Sequence, residues 1–474
     1  MVTAGLLLSL VIPLLAGLPW ILALQRDAPV ADGKWGIAVG YGYTAGLLAV
    51  VASMQIASHL GQPMNFWTAS MLPMVAGVLG WFRYGKRIAS SARIDFAGAR
   101  DSWRRMPNAT RIVCVVALGF IALRLGTVAV ESVLRPLFPW EAVSGTAAKA
   151  RVWFEYSRLI PFVTPSAMLD LTGVYTNADP NAPSLPSLLM VWTASCMHDW
   201  HEGGVGFAWW GLGVALACAF YGHLRKVGCG VAYSIVFSYA LISLPLVDAH
   251  IALPGSPQWI GAAGVGLAGC ALMRWLDTQS RETFLCAAAG MILAVCSIPT
   301  TWPWFAIFAL AAVMTRVPSI ARKVAIGLSV AAVIGVLALM QSPLKVGGMS
   351  LRIQLSPEWS EAPESLLLLD NWHLLFGVVA LVLITGLRTI FTPSWLPRTW
   401  VVGMGLGLMV LKGAFALPPW WFGGLRDFSY AGLQFAAILL LWIAWTGRDI
   451  ALARSTSTAP ASPDVERSGT DVSG

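Results

Sequence analysis

Apolar runs long enough to cross a bilayer recur from one end of this sequence to the other, and no stretch between them could hold a soluble catalytic domain. They lie at roughly 3–24, 36–58, 66–83, 111–134, 203–222, 229–246, 258–275, 283–298, 301–316, 323–341, 370–388, 396–416 and 429–446, each near the ~20 residues a helix needs to span hydrocarbon. The pattern predicts an all-α, polytopic transmembrane helix bundle with about 13 spans. Composition agrees: 57% of the 474 residues are hydrophobic, 11% are charged, and the mean hydropathy is +0.70. That is far from the balance of a soluble domain.

The first basic residue is Arg26, so the opening apolar run lacks the positive n-region of a cleavable signal and is expected to stay as a helix. Seven cysteines lie in or beside apolar runs without paired spacing, which argues for packing rather than a disulfide framework or zinc site. The formal charge of +8 sits mainly in loops between spans, where a positive-inside bias accounts for it without nucleic acid as a partner.

Lys86, Arg87, Arg93, Arg100, Arg104 and Arg105 fall between Arg83 and Arg111, which places that stretch in the cytoplasm. "PSLPSLLMVWTASCM", 183–197, is apolar but short and opens with two prolines, so it is expected to lie at the interface as a juxtamembrane helix. Arg225, Lys226, Arg274, Arg281, Arg316, Arg322, Lys323, Arg388, Arg448 and Arg454 then share the cytoplasmic side. The outer face receives 135–202, 247–257, 342–369 and 417–428. The expected organisation is a three-helix N-terminal extension with its basic loop (1–110), a membrane domain (111–446) and a disordered cytoplasmic tail (447–474). No internal repeat of the transporter kind stands out.

Charges gathered in the outer segments need a reason, because desolvating them is costly. In "FPWEAVSGTAAKARVW", 138–153, Glu141 stands eight residues before Lys149, a spacing that puts both on related faces of a continuous helix unless Gly145 interrupts it. A carboxylate there could accept a proton from a sugar hydroxyl, and Lys149 and Arg151 could hold a phosphate. Snorkelling to lipid phosphates is the plainer alternative. Asp248 and His250, in "PLVDAHIALPGSPQW", could orient substrate hydroxyls, or could simply cap a helix end. Arg426, in "WFGGLRDFSY", could bind phosphate or pair with Asp427.

Other charged groups favour structural readings. His198, His201 and Glu202 in "HDWHE" match no metalloprotease spacing, and no ligand set in the chain demands a divalent metal, although one near the acidic loop residues is compatible. Arg124 and Glu131, seven residues apart on one helix face, are expected to form a buried ion pair that locks neighbouring helices.

"RPLFPWEAV…KARVW", "YTNADPNAPSLPSLLMVW" and "LPLVDAHIALPG", in that order, resemble the bacterial GT-C glycosyltransferases of the protein-mannosyltransferase and aminoarabinose-transferase kind. "LLLLDNWHLLFG", 366–377, is similar to a late-helix motif in related proteins. The resemblance covers about residues 111–446 and rests on order and spacing. It implies a polyprenyl-phosphate sugar donor and places Glu141 as the catalytic acidic residue of the first outer loop. Lys149, Arg151 and Arg426 would then contact the donor phosphate, with Asp248, His250, Tyr175 and Asp179 on the substrate. The family's acidic residue is usually Asp, its following aromatic positions are Val143 and Thr146 here, and "SIPTTWPWFA" stands where a Lys-Asn-Glu-Gly type segment is expected.

The expected function is an inner-membrane glycosyltransferase that moves a sugar from a lipid carrier to a glycan, lipid or protein acceptor on the periplasmic face. The other readings are a flippase for a lipid-linked sugar, which should carry polar sites at mid-membrane, and an inactive sugar-lipid-binding scaffold.

Overall fold

Helix follows helix in the computed structural model, which describes residues 2–25, 33–138, 140, 142–170, 172–316, 344–346, 349–351, 354–355, 366, 372–390, 392, 395–416 and 428–457. In order these are α1 (Val2–Leu24), α2 (Lys34–His59), α3 (Phe66–Arg105), α4 (Asn108–Leu134), α5 (Ala147–Tyr156), α6 (Leu185–Met197), α7 (Phe207–Lys226) and α8 (Val231–Ser243). Then come α9 (Pro245–Ala252), α10 (Pro257–Thr278), α11 (Arg281–Val295), α12 (Trp302–Arg316), α13 (Leu375–Thr385), α14 (Leu387–Ile390), α15 (Leu396–Ala414) and α16 (Phe428–Ser457). The described strands are two or three residues long and pair in twos, among them β1 (Phe162–Val163) with β2 (Tyr175–Thr176). The helical class expected from the sequence is the one observed.

Six described helices are long and apolar enough to cross a membrane: α1, α2, α4, α7, α10 and the Ser429–Ala453 part of α16. The α8–α9 pair, bent by 64°, makes a seventh if it is one broken span. Its break has a local cause, since Pro245 supplies no N–H and its ring clashes with the preceding turn of a continuing helix. Leu185–Met197, Pro299–Val313, Leu375–Thr385 and Leu396–Val410 are shorter apolar helices, and the run expected at 323–341 lies outside the described residues.

The basic segment expected as a loop is helix. After a capping box between Asn65 and Thr68, α3 runs unbroken for 40 residues, about 60 Å at 1.5 Å per residue and twice what a bilayer core needs. Its far half is fastened to the start of α2, where Lys34 donates to Ser91 at 2.6 Å and Trp35 to Asp95 at 3.1 Å. These contacts define a basic end of the bundle, shared by the start of α2 and the end of α3.

Small residues let the helices approach. A Cβ on Gly46 of α2 would lie 1.9 Å from the Pro13 carbonyl oxygen of α1, and one on Gly264 of α10 would lie 2.6 Å from the Ala294 nitrogen of α11. Such close backbone contact is how helices associate where lipid tails are as apolar as leucine. The first three helices, expected as an extension, share the core of the rest: Tyr41 of α2 is fully buried and bonds both His223 of α7 and the Leu267 carbonyl of α10. By contrast α4 turns Ile112, Val115, Leu123 and Val130 outward, a surface suited to lipid.

All thirteen residues of α6 are buried, yet the helix does not run through the bundle. At its start Ser184 accepts from Gln55 near the end of α2, and at its finish Cys196 and Met197 press on Gly5 near the beginning of α1. Both neighbours belong to the end opposite the basic one, so α6 lies across that end. At about 20 Å it is also too short to span.

Candidate functional site

The chain between α4 and α7 folds into a platform at the end opposite the basic one. A π-helical turn at Ala142–Thr146 leads into α5, so the continuous helix considered for Glu141 and Lys149 is replaced by a wider turn that contains Gly145. Glu141 itself lies outside the described residues, as do Arg426 and Asp427.

Lys149 is 2% exposed, and its ammonium donates to the carbonyl oxygens of Asp179 at 2.6 Å, Pro180 at 3.0 Å and Ala182 at 3.4 Å. An ammonium has three protons to give, and here three carbonyls take them. Burial pushes this lysine below its ordinary range, and the nearby Asp179 charge pulls it back up. The geometry makes Lys149 the clamp of the 179–182 turn, with no donor left to offer a phosphate. Arg151, two residues on, is exposed and suits that task better.

Asp179 gives its backbone carbonyl to the clamp while its side chain is exposed. Buried Asn177 closes the same loop from the other side, donating to the Ser144 and Gly145 carbonyls at 3.0 Å each and accepting from the Asp179 N–H. Ser187 of α6 adds a bond to the Thr146 carbonyl at 2.8 Å. Tyr175 pairs through β2 with Phe162 and donates to the Tyr156 hydroxyl, a bond that holds the Tyr175 phenol above its ordinary range. Nothing in the residue pattern singled out Asn177, whose importance comes from carbonyls more than 30 positions away in sequence.

Two connections join the platform to the corner at α9. A Cβ on Gly255 would lie 2.5 Å from that of Ala142, and Gly255 takes a φ of +94°, so the residue after Glu141 packs directly on the turn that follows α9. Arg124 of α4 lies 2.6 Å from Asp248 of α9. This corrects the ion pair expected within α4: Glu131 pairs instead with Arg135, one turn away, at 2.7 Å. Seven residues put Arg124 and Glu131 on one face but two turns apart, and each found a nearer partner. His250 contacts the Leu246 carbonyl through Nδ1 at 2.8 Å and meets the Tyr430 ring edge-on at 5.6 Å.

Thus Lys149, Tyr175 and Asp179 share one platform, and Asp248 and His250 sit on the corner that touches it. Among the described residues no group of three His, Cys, Asp or Glu is placed to hold a metal ion. His198 ends α6 in a left-handed conformation beside the Phe66 ring, and the His201 carbonyl accepts from Gly204 and Val205. The seven cysteines are free; five are buried, Cys218 is half-buried, and Cys296, expected as packing, is exposed.

A second polar cluster, missed in the sequence, crosses the core at the other end. Fully buried His223 bridges Tyr41, at 2.8 Å from Nε2, and Arg274, at 3.5 Å from Nδ1, and Arg274 lies 3.5 Å from Glu282. Comparison of the chain with protein-family models, with curated proteins and with solved structures finds no match in any of the three.

Proposed function

We propose that this multi-pass membrane protein is a glycosyltransferase that moves a sugar from a polyprenyl-phosphate carrier to an acceptor hydroxyl. The observation that carries the reading is the packing of Ala142 on Gly255, which sets the backbone beside Glu141 against the corner bearing Asp248 and His250. Lys149, Arg151, Asp179, Asp248 and His250, from two distant segments, thereby share one end of the bundle, which supports this reading. With about 13 crossings and the positive-inside rule, the basic end faces the cytoplasm of a bacterial inner membrane and the platform faces the periplasm.

In this mechanism the acceptor oxygen attacks the anomeric carbon as Glu141 removes its proton, and the bond from that carbon to the phosphate oxygen breaks with its electrons left on the phosphate. Arg151 and Arg426 stabilise the departing charge. Lys149 keeps the 179–182 turn in place, and Arg124 holds Asp248. One displacement inverts the anomeric configuration.

The test is transfer of labelled sugar from a polyprenyl-phosphate donor by the purified protein in liposomes. Glu141→Gln should slow transfer by a factor on the order of 10² to 10⁴ while donor binding survives. Leaflet exchange of the donor without product would replace this reading with a flippase, and donor binding with neither would leave a scaffold.

A further inference from the structure

One face of α3 changes chemistry where its apolar half ends. That half packs on α1 and α2, with Trp81 donating to the Leu15 carbonyl at 2.9 Å and Ser53 of α2 donating to the Thr68 carbonyl at 2.6 Å. Met71, Val75, Val78 and Phe82 lie outside these contacts and are exposed, Phe82 at 91%. Continuing at the same spacing of three or four residues, the helix presents Lys86, Ala89, Arg93, Phe96, Arg100 and Arg104, all exposed as well. At about 100° per residue these positions fall within a sector of roughly 80°, so in one continuous helix they form a single stripe.

Beyond Phe82 the stripe carries positive charge only. Asp95 faces α2, where it accepts from Trp35 at 3.1 Å and Ser91 at 3.2 Å and lies 3.7 Å from Lys34. Asp101, the other acid between Arg83 and Arg105, stands about 100° of helix past Arg100. Among the described residues Lys86, Arg93, Arg100 and Arg104 make no ion pair and no side-chain hydrogen bond.

The far half of α3 also keeps to the level at which the membrane helices begin. Ser91 is held by Lys34 at the start of α2, and Gly33, just before it, packs on α7, where a Cβ would lie 2.2 Å from the Gly222 carbonyl oxygen. Tyr221, next to Gly222, packs with Trp103 of α3 on one apolar cluster of Cys114, Ala117 and Ile235. The Trp103 carbonyl accepts from Arg111 at 2.9 Å, at the head of the apolar run of α4. From Ser91 to Trp103 the helix therefore runs about 18 Å along the end of the bundle rather than out into water.

We propose that the stripe on the far half of α3 is a binding surface for anionic phospholipid headgroups in the leaflet at the basic end. Its apolar part lies on the outside of the bundle, where it meets lipid tails, and the same face turns cationic where the phosphates begin. Arginine and lysine stems run along apolar surface while their heads reach outward, and guanidinium forks take phosphate oxygens in pairs. Phe96, 70% exposed among these cations, is the kind of aromatic side chain that basic interfacial helices sink between headgroups. From Lys86 to Arg104 the stripe is about 27 Å long, and the phosphates of a lipid surface supply negative charge along all of it. The surface is independent of the transferase reading, since it lies at the other end of the bundle.

The test uses the purified full chain in nanodiscs of equimolar phosphatidylglycerol and phosphatidylcholine, with a fluorophore on Ala97→Cys, an exposed position beside the stripe, in a Cys296→Ser background. Phosphatidylglycerol spin-labelled just below the headgroup should quench the fluorophore roughly two-fold or more over equally labelled phosphatidylcholine, and added salt should shrink the difference. Arg93→Gln, Arg100→Gln and Arg104→Gln together should abolish the preference. Arg83→Gln, Arg87→Gln and Arg105→Gln together remove the same charge from outside the stripe and should leave the preference in place. All the substituted residues are exposed; if the stripe variant fails to fold, Arg93→Gln with Arg100→Gln is compared with Arg83→Gln with Arg87→Gln. No preference for phosphatidylglycerol with the stripe intact, or equal loss in the two variants, overturns the surface. Quenching by neither lipid overturns it as well, and binding of single-stranded RNA by that unquenched protein would assign the stripe to nucleic acid.

Discussion

Arg124 on α4 and Asp248 on α9 meet at 2.6 Å, an ion pair that ties the most lipid-facing long helix to the short arm of a bent one. Asp248 follows Pro245 by three residues, so the pair also fixes the direction in which the broken segment leaves its bend. A double-mutant cycle with Arg124→Ala and Asp248→Ala should give a coupling energy of about 0.5–3 kcal/mol in reversible denaturation. The corresponding cycle for Arg124 and Glu131 should give far less, because those side chains have other partners. Equal coupling in both cycles would reinstate the pairing within α4.

Lys149 and Arg151 should separate cleanly although they are two residues apart. Lys149→Ala leaves the carbonyls of Asp179, Pro180 and Ala182 without their shared donor and should cost about 1.5–3 kcal/mol, the range for a charge-assisted hydrogen bond. Limited proteolysis between Asn177 and Pro183 should speed up in that variant. Arg151→Ala, at an exposed position, should change stability by less than about 0.5 kcal/mol while weakening binding of the phosphate-bearing donor. Unchanged proteolysis of Lys149→Ala would refute the clamp.

Packing between helices gives a contrast at two glycines. Gly46→Leu would drive its Cβ into the Pro13 carbonyl and should destabilise the protein by about 1–3 kcal/mol or more, seen as loss of monodisperse protein in detergent. Gly119→Leu, on the lipid-facing α4 with nothing within 4 Å, should remain within about 0.5 kcal/mol of wild type. Similar losses in the two variants would contradict the close approach of α1 and α2.

Orientation can be read with thiol labels once Cys296, the exposed native cysteine, is changed to Ser. Ser166 and Ser90 are both exposed, the first on the platform and the second on the long extension of α3. Ser166→Cys should react with an impermeant reagent in intact cells, and Ser90→Cys only after permeabilisation. The reverse pattern would place the platform in the cytoplasm and remove the basis for a periplasmic transferase.

Residue order alone specified a helical membrane protein and marked Leu185–Met197 as an apolar helix too short to span, because apolar length and the distribution of arginine and lysine are properties of single segments. Tertiary structure decided partners. Helical spacing told that Arg124 and Glu131 share a face, but which neighbour approaches that face depends on where α9 lands after its bend. Lys149 read as an available cation because its carbonyl partners sit 30 to 33 residues later, in a loop with no periodicity to announce it. His223 and Arg398 passed unremarked and Arg274 read only as one of the basic residues on the cytoplasmic side; helix packing put His223 and Arg274 in contact and stacked Arg398 between Trp395 and Trp445. A sequence records the face on which a charge lies; the charge that meets it is set by close packing among helices far apart in the chain.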